Sequence, residues 1–380
     1  MPTKRFLVAA LSLVALALPG AAQEKKEEPK GKEPAKIVFK HPGIMVGDDD
    51  LKTIRNAIRR NIEPQASTFR ELIKAADEHL SRAPDPLKEM SIPPYYNDKQ
   101  KHVAARGSLD RDCDAVYTLA LAAALTGEGK YADKALQFVN AWVKNCKIGK
   151  NDGDTPLIAS RTLVLMVYAA DLLWNNKKFT KSDKEEFLAW AKGTVYDSGV
   201  AIRRAVNNWG AWGVQASMAW TILAEDETLF RETVEVWKRQ VEANLNADGA
   251  FQHELKRHDG DKGQGISYSQ FALQACTLSA EMASRYDVDL FAWKTSGGKG
   301  LKEAAEKIYA WEKAPETFPF SNDYKQTTGA FYACWEILYR RYKAREWRQV
   351  LNERRKHPWQ YPFAHRSEAG AWLPLTHGAP

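Results

Sequence analysis

Two stretches hold the residues whose types could do chemistry. The first, RAVNNWGAWG at 204–213, sets Asn207 and Asn208 side by side among tryptophans and glycines. The second, NADGAFQHELKRHDGDKGQGISYSQFAL at 246–273, places His253, Glu254, Lys256, Arg257 and His258 before a glycine-rich loop, with Tyr268 near the next helix start. Amides donate hydrogen bonds, a guanidinium carries a permanent charge, and imidazole and phenol exchange protons. A glycine-rich loop can carry such groups over a cleft. Plainer explanations stand beside this one: one asparagine serves as a helix N-cap, and Gly/Trp clusters pack cores. Asp110, Asp112, Asp114 and Glu254 offer the paired carboxylates of a glycoside hydrolase. The three aspartates are expected just before a helix, however, where N-terminal capping is the simpler account.

Positioning these groups falls to helices. An Asp48–Asp50 cluster opens one, and a second covers roughly 63–82. Residues 82–107 mix proline, aromatic and charged side chains without clear periodicity and are expected to form a long loop. From Asp110 the chain becomes a series of helices with Ala- and Leu-rich faces: a hairpin to about 145, a third from Thr155, and one capped by Thr180 or Ser182. Further helices are expected at about 208–224, 227–246, 266–285, 299–313 and 326–344, while the tail from His357 is expected to be non-helical and to wrap back. Only short stretches such as GAFQHEL alternate like a strand. The fold class is therefore all-α, an α/α toroid or incomplete (α/α) barrel of helical hairpins. An α-solenoid is the competitor, but the hairpins share no fixed repeat length.

The N-terminus sets the expected compartment. Residues 1–22 have a basic start, an apolar run from Phe6 to about Leu18, and small residues before Gln23, the pattern of a signal peptide cleaved after Ala22. That run is short for a bilayer span, so no integral membrane segment is expected. Residues 23–36 are charged and contain proline, a disordered leader, and 37–380 form one domain. The mature protein is expected to be periplasmic or secreted. The formal charge of +7 on 380 residues favours acidic partners. Nucleic acid is set aside because the basic residues are dispersed among acidic ones and no recognition motif appears. Cys113, Cys146, Cys276 and Cys334 lack metal-knuckle spacing; they form one or two disulfides or remain buried thiols. Neither a metal nor a cofactor is expected.

NNWGAWG, followed two helices later by DGAFQHELKR and SYSQFAL, resembles the alginate lyase superfamily of α/α-barrel polysaccharide lyases. The resemblance runs from roughly Pro93 to Phe331 and includes the PPYYNDKQKH loop. It implies a polyuronate-cleaving enzyme acting by β-elimination on an anionic polysaccharide. It further implies that Tyr268 is the catalytic tyrosine, that Arg257 is the arginine of the Glu-Leu-x-Arg element, and that Asn207, with Asn208 as companion, meets the substrate carboxylate. Trp209 stands where the family has a histidine, which points to a divergent branch in which another histidine completes the site. His253 and His102 are the first candidates, then His258. The role of His41 stays open. Trp209, Tyr95, Tyr96, Lys99, Lys101, Arg106, Arg161, Lys256 and His258 are candidate substrate-binding residues, aromatic faces stacking on sugars and cations holding carboxylates.

The chemistry needs these types. Removing the C5 proton of a uronate builds enediolate-like charge, which amides and a cation around the C6 carboxylate stabilise. Tyrosine, with an ordinary pKa near ~10, needs cationic surroundings to act as base, and can then protonate the C4 oxygen. In mannuronate and glucuronate these atoms share one side, so one residue serves both steps; mannuronan- or glucuronan-like chains follow. The alternatives are an α/α-toroid glycoside hydrolase and an inactive carbohydrate-binding protein.

Overall fold

Several helix boundaries fall where the sequence supplies caps. In the computed structural model, which describes residues 36–260, 263–321, 333–355 and 366–379, α1 (Asp48–Arg59) opens on the expected acidic cluster and α2 (Gln65–Leu80) follows. The helix α3 (Lys99–Thr126) starts where the Asp98 side chain accepts from Lys101 N at 3.0 Å, and it ends at Gly127 in the left-handed region. After it come α4 (Gly129–Asn145), α5 (Thr155–Ile158) and α6 (Val164–Leu173), the last two joined through a π-helical turn at Ala159–Leu163. Thr180 and Asp183 form a capping box on α7 (Lys181–Ala191), and α8 (Asp197–Ile202) leads to the asparagine pair.

The second half repeats the hairpin scheme. It comprises α9 (Asn208–Leu223), α10 (Glu227–Asn244), α11 (Gly265–Ser284), α12 (Leu301–Lys313), α13 (Cys334–Tyr342), α14 (Arg345–Arg355) and a final turn, α15 (Leu373–Thr376). α3, α6, α9 and α11 pack side by side as an inner row, with α4, α10 and α12 against their outer faces. Burial follows this order: α9 is buried along its whole length except at Trp209, whereas α4, α10 and α12 bury a single stripe. The result is an incomplete α/α toroid. α8 and α9 cross closely because both carry glycine at the contact; a Cβ on Gly213 would lie 2.6 Å from the Gly199 carbonyl oxygen. Thr155–Leu173 is long and apolar enough to cross a membrane, but it is buried as a core segment. The two short strands, β1 (Glu89–Met90) and β2 (Lys147–Ile148), pair in parallel with Glu89 opposite Lys147.

Several expectations change. The loop expected over 82–107 ends at Asp98, because its last third is the polar start of α3. Asp110, Asp112 and Asp114 therefore lie inside α3 and cap nothing. Asp112 instead accepts from Trp142 Nε1 at 2.8 Å, and Asp114 from Thr118 at 3.1 Å. All four cysteines are buried as thiols, the second of the two alternatives. Desolvation pushes the Cys146 thiol up to about 12 and the other three higher still. GAFQHEL contributes only one bridge, Leu245 to Phe251. The tail packs back, with Trp372 donating to Thr118 at 3.0 Å, and it includes the short α15. The expected signal peptide, the leader up to residue 35, residues 326–332 of the last predicted helix and residues 357–365 of the tail lie outside the described residues. Ile37–Pro380 groups as one compact unit.

Candidate active site

The two motif stretches meet because α9 and α11 are neighbours in the inner row and their first turns line the same cleft. Between them and the start of α3 lies a cleft of ≈ 810 Å³. Tyr95, Tyr96, His102, Arg106 and Asp110 line it from the α3 side, Arg161 from the π-helical turn, and Asn208 and Trp209 from α9. Arg257, Ser267 and Tyr268 come from the turn before α11 and its first residues, and Glu368 from the tail.

The Tyr268 hydroxyl hydrogen-bonds the Tyr96 hydroxyl, which also donates to Gln264 Oε1 at 3.4 Å. The Arg257 guanidinium lies 4.3 Å from the Tyr268 ring centroid. Partial burial, and then the bond to Tyr268, push the Tyr96 phenol above its ordinary range. His102 is buried at the cleft edge, its Nδ1 2.9 Å from the Pro93 carbonyl and 3.2 Å from Asp154. A carbonyl only accepts, so Nδ1 carries a proton and Nε2 is the nitrogen left for a ligand.

The two asparagines divide the work. Asn207 has extended backbone geometry and accepts from Trp209 N at 3.1 Å, the plain N-cap arrangement. Asn208 is fully buried. Its Nδ2 donates to both carboxylate oxygens of Glu254 at 3.1 and 3.0 Å, and its backbone N–H also donates to Glu254. Burial drives the Glu254 carboxyl up to about 7, against the opposing pull of the Asn208 bonds and of Arg257. Of the pair, it is Asn208 that lines the cleft, while Asn207 caps the helix.

On the other wall, Arg106 grips Asp110 with Nε and Nη2 at 2.9–3.0 Å and reaches Glu368 at 3.3 Å. Arg161 also bonds Glu368 and lies 4.8 Å from the Phe271 ring centroid. The four carboxylates considered for hydrolysis are each engaged by other side chains: Asp110 by Arg106, Asp112 by Arg82 and Trp142, Asp114 by Thr118 and Arg366, Glu254 by Asn208.

Of the expected site residues, Asn208, His102, Arg257, Tyr268, Trp209, Tyr95, Tyr96, Arg106 and Arg161 line the cleft. Others stand apart from its lining. His253 is exposed, its backbone N–H directed to Asn244 Oδ1 at 3.3 Å. Lys101 pairs with Asp98 at 3.2 Å, Lys99 sits 5.6 Å from the Tyr95 ring centroid, and Lys256 5.2 Å from that of Phe320. His258 is exposed, with its ring 4.6 Å from that of Tyr96. His41, left open, is committed to Asp171 at 2.7 Å. Glu368, Asp154 and Ser267 were missed. Ser267 adjoins Tyr268 and could have been read from that position; Asp154 and Glu368 carry no local signal. Among the described residues no three His, Cys, Asp or Glu side chains converge as metal ligands.

An all-α toroid whose cleft gathers a tyrosine, an arginine, a buried amide and an imidazole is the framework of a polysaccharide lyase. The alginate lyase family model matches residues 59–318, and the chain belongs to that family. It is an enzyme with polyuronate-lyase-type activity on an anionic polyuronate. Among solved structures, an alginate lyase from Bacteroides ovatus matches with TM-score 0.67 at 19% identity, covering 90% of this chain and 100% of that one. Alginate lyase A1-III from Sphingomonas species A1 matches with TM-score 0.69 at 20% identity, over 87% of this chain and 95% of that one. A tyrosine-to-phenylalanine variant of A1-III, complexed with tetrasaccharide, matches with TM-score 0.68 at 19% identity, over 90% and 97%. At these identities the likeness is one of fold. No curated protein matches the sequence significantly.

Proposed function

We propose that the protein cleaves 1,4-linked mannuronan- or glucuronan-like polyuronates by β-elimination, with Tyr268 as the base and then the acid. The observation that carries this is the placement of the Tyr268 hydroxyl in the cleft beside the Arg257 guanidinium, with Asn208 and His102 on the surrounding walls. A uronate whose C6 carboxylate lies among Arg257, Asn208 and His102 presents its C5 hydrogen to the phenol oxygen. Arg257 and the amide then offset the charge that develops on the carboxylate as the C5 proton leaves. The same phenol returns that proton to the C4 oxygen on the same face, and the C4–O4 bond breaks to leave an unsaturated sugar. Tyr96 fixes the direction of the Tyr268 hydroxyl through their shared hydrogen bond. Trp209 stands where the family's histidine is expected, and His102 supplies an imidazole from α3. The N-terminal signal pattern supports action outside the cytoplasm.

The test follows ultraviolet absorbance of the unsaturated uronate with polymannuronate, glucuronan and polyguluronate. Signal from the first two and not the third is expected, and Tyr268→Phe should abolish it while the helical circular dichroism is kept. Normal turnover in that variant would refute the assignment.

A further inference from the structure

The Asn208 amide is held at one end only. Glu254 takes both Nδ2 contacts, while Oδ1 is buried without a hydrogen-bond partner on a residue that lines the cleft. That arrangement suits an ionised carboxylate, which only accepts. It suits a uronate poorly, because the atom not claimed by Glu254 is itself an acceptor. An amide is nearly symmetric in shape, so a half-turn about its terminal bond exchanges Oδ1 and Nδ2 with little change in packing.

We propose that Glu254 is a proton-operated positioning residue that decides which end of the Asn208 amide meets the substrate. When Glu254 is protonated, its O–H donates to Oδ1 and the amide turns Nδ2 outward to a uronate carboxylate. The second Glu254 oxygen keeps the backbone N–H of Asn208. When Glu254 is ionised it claims Nδ2 for itself. Binding of a uronate therefore takes up one proton from solvent, and it lands on Glu254.

The surroundings fit such a switch. Charged or titratable groups facing Glu254 are Arg257 on its own turn and the Cys276 thiol of α11; from α9 it meets the neutral Asn208. Burial already brings the Glu254 carboxyl to about 7. A second carboxylate arriving beside Arg257 adds like charge and favours the protonated form further. Glutamine at this position reproduces the protonated acid, since its Nε2 donates to Oδ1 while its Oε1 accepts from the backbone N–H.

This inference rests on the polyuronate reading of the cleft, and its test has a ligand-free arm for that reason. In protein labelled with 15N at asparagine, the Asn208 side-chain NH2 signals should move between about pH 6 and about pH 8.5, with one midpoint near the Glu254 value. The same signals should stay fixed in Glu254→Gln. In the Tyr268→Phe background, which stops turnover, calorimetry with a mannuronate trisaccharide should show affinity falling about tenfold per pH unit above the midpoint. Proton uptake should approach one, and adding Glu254→Gln should flatten both. A static Asn208 amide across that range overturns the proposal, as does equal pH dependence with and without Glu254→Gln. If the trisaccharide binds at no pH, the substrate reading fails, and the wild-type titration alone then upholds or overturns the switch. That arm needs no variant to fold.

Discussion

Glu254→Gln should make the protein more stable in mild alkali and leave it unchanged in acid. Glu254 is fully buried, and its carboxyl stands at about 7 against an ordinary 4.5, chiefly because burial penalises the charged form. The folded-state value is the raised one, so the folded chain binds the proton more tightly than the unfolded chain. The group's contribution is then fully present below about pH 4.5 and is lost as pH rises through 7. Displacement of that size corresponds to about 3 kcal/mol at pH values above both. Glutamine keeps the shape and the neutral hydrogen bonds and never ionises. Urea unfolding of both chains, followed by tryptophan fluorescence, should give coincident midpoints near pH 4. The variant should lead by about 3 kcal/mol at pH 8.5. All other titrating groups are common to the two chains and cancel in the difference. A stability difference that does not change with pH would refute the buried, raised carboxyl and the account of Asn208 built on it.

Arg257→Lys should lower kcat/KM about 10²–10³-fold in the ultraviolet assay, since an ammonium cannot lie flat against the Tyr268 ring while serving a carboxylate. Gly213→Ala should cost about 1–3 kcal/mol, read as a lower melting temperature, because the added methyl meets the Gly199 carbonyl where α8 and α9 cross.

Much of the fold was legible because the helices announce themselves locally. Thr180 with Asp183, the Asp48–Asp50 cluster and Gly127 mark boundaries through side-chain and backbone chemistry that needs no distant partner. The start of α3 was hidden for the opposite reason. Its first turns carry Lys99, Lys101, His102 and Arg106 toward solvent and the cleft, so no apolar stripe appears until Leu109. Asn208, Arg257 and Tyr268 were legible as residue types in a familiar order. Which asparagine caps and which faces the cleft was not, because it depends on the extended backbone of Asn207, one residue outside α9. That His102 lines the cleft and His253 does not needed the tertiary fold: the two lie far apart in sequence, and the exposed one sits in the more suggestive motif. Glu368 was out of reach, since it meets Arg161 across 207 residues.

The contact between Arg161, Arg106, Asp110 and Glu368 also says how the cleft treats a polyanion at a distance. Two cations and two carboxylates face one another there, so this wall is polar yet close to electrically balanced. Its arginines exert little pull on a chain diffusing nearby; their charge is spent inside the fold. Of the three arginines that line the cleft, Arg257 beside Tyr268 lies outside this balanced group, so the positive charge of the lining is concentrated at one end instead of being spread along the groove.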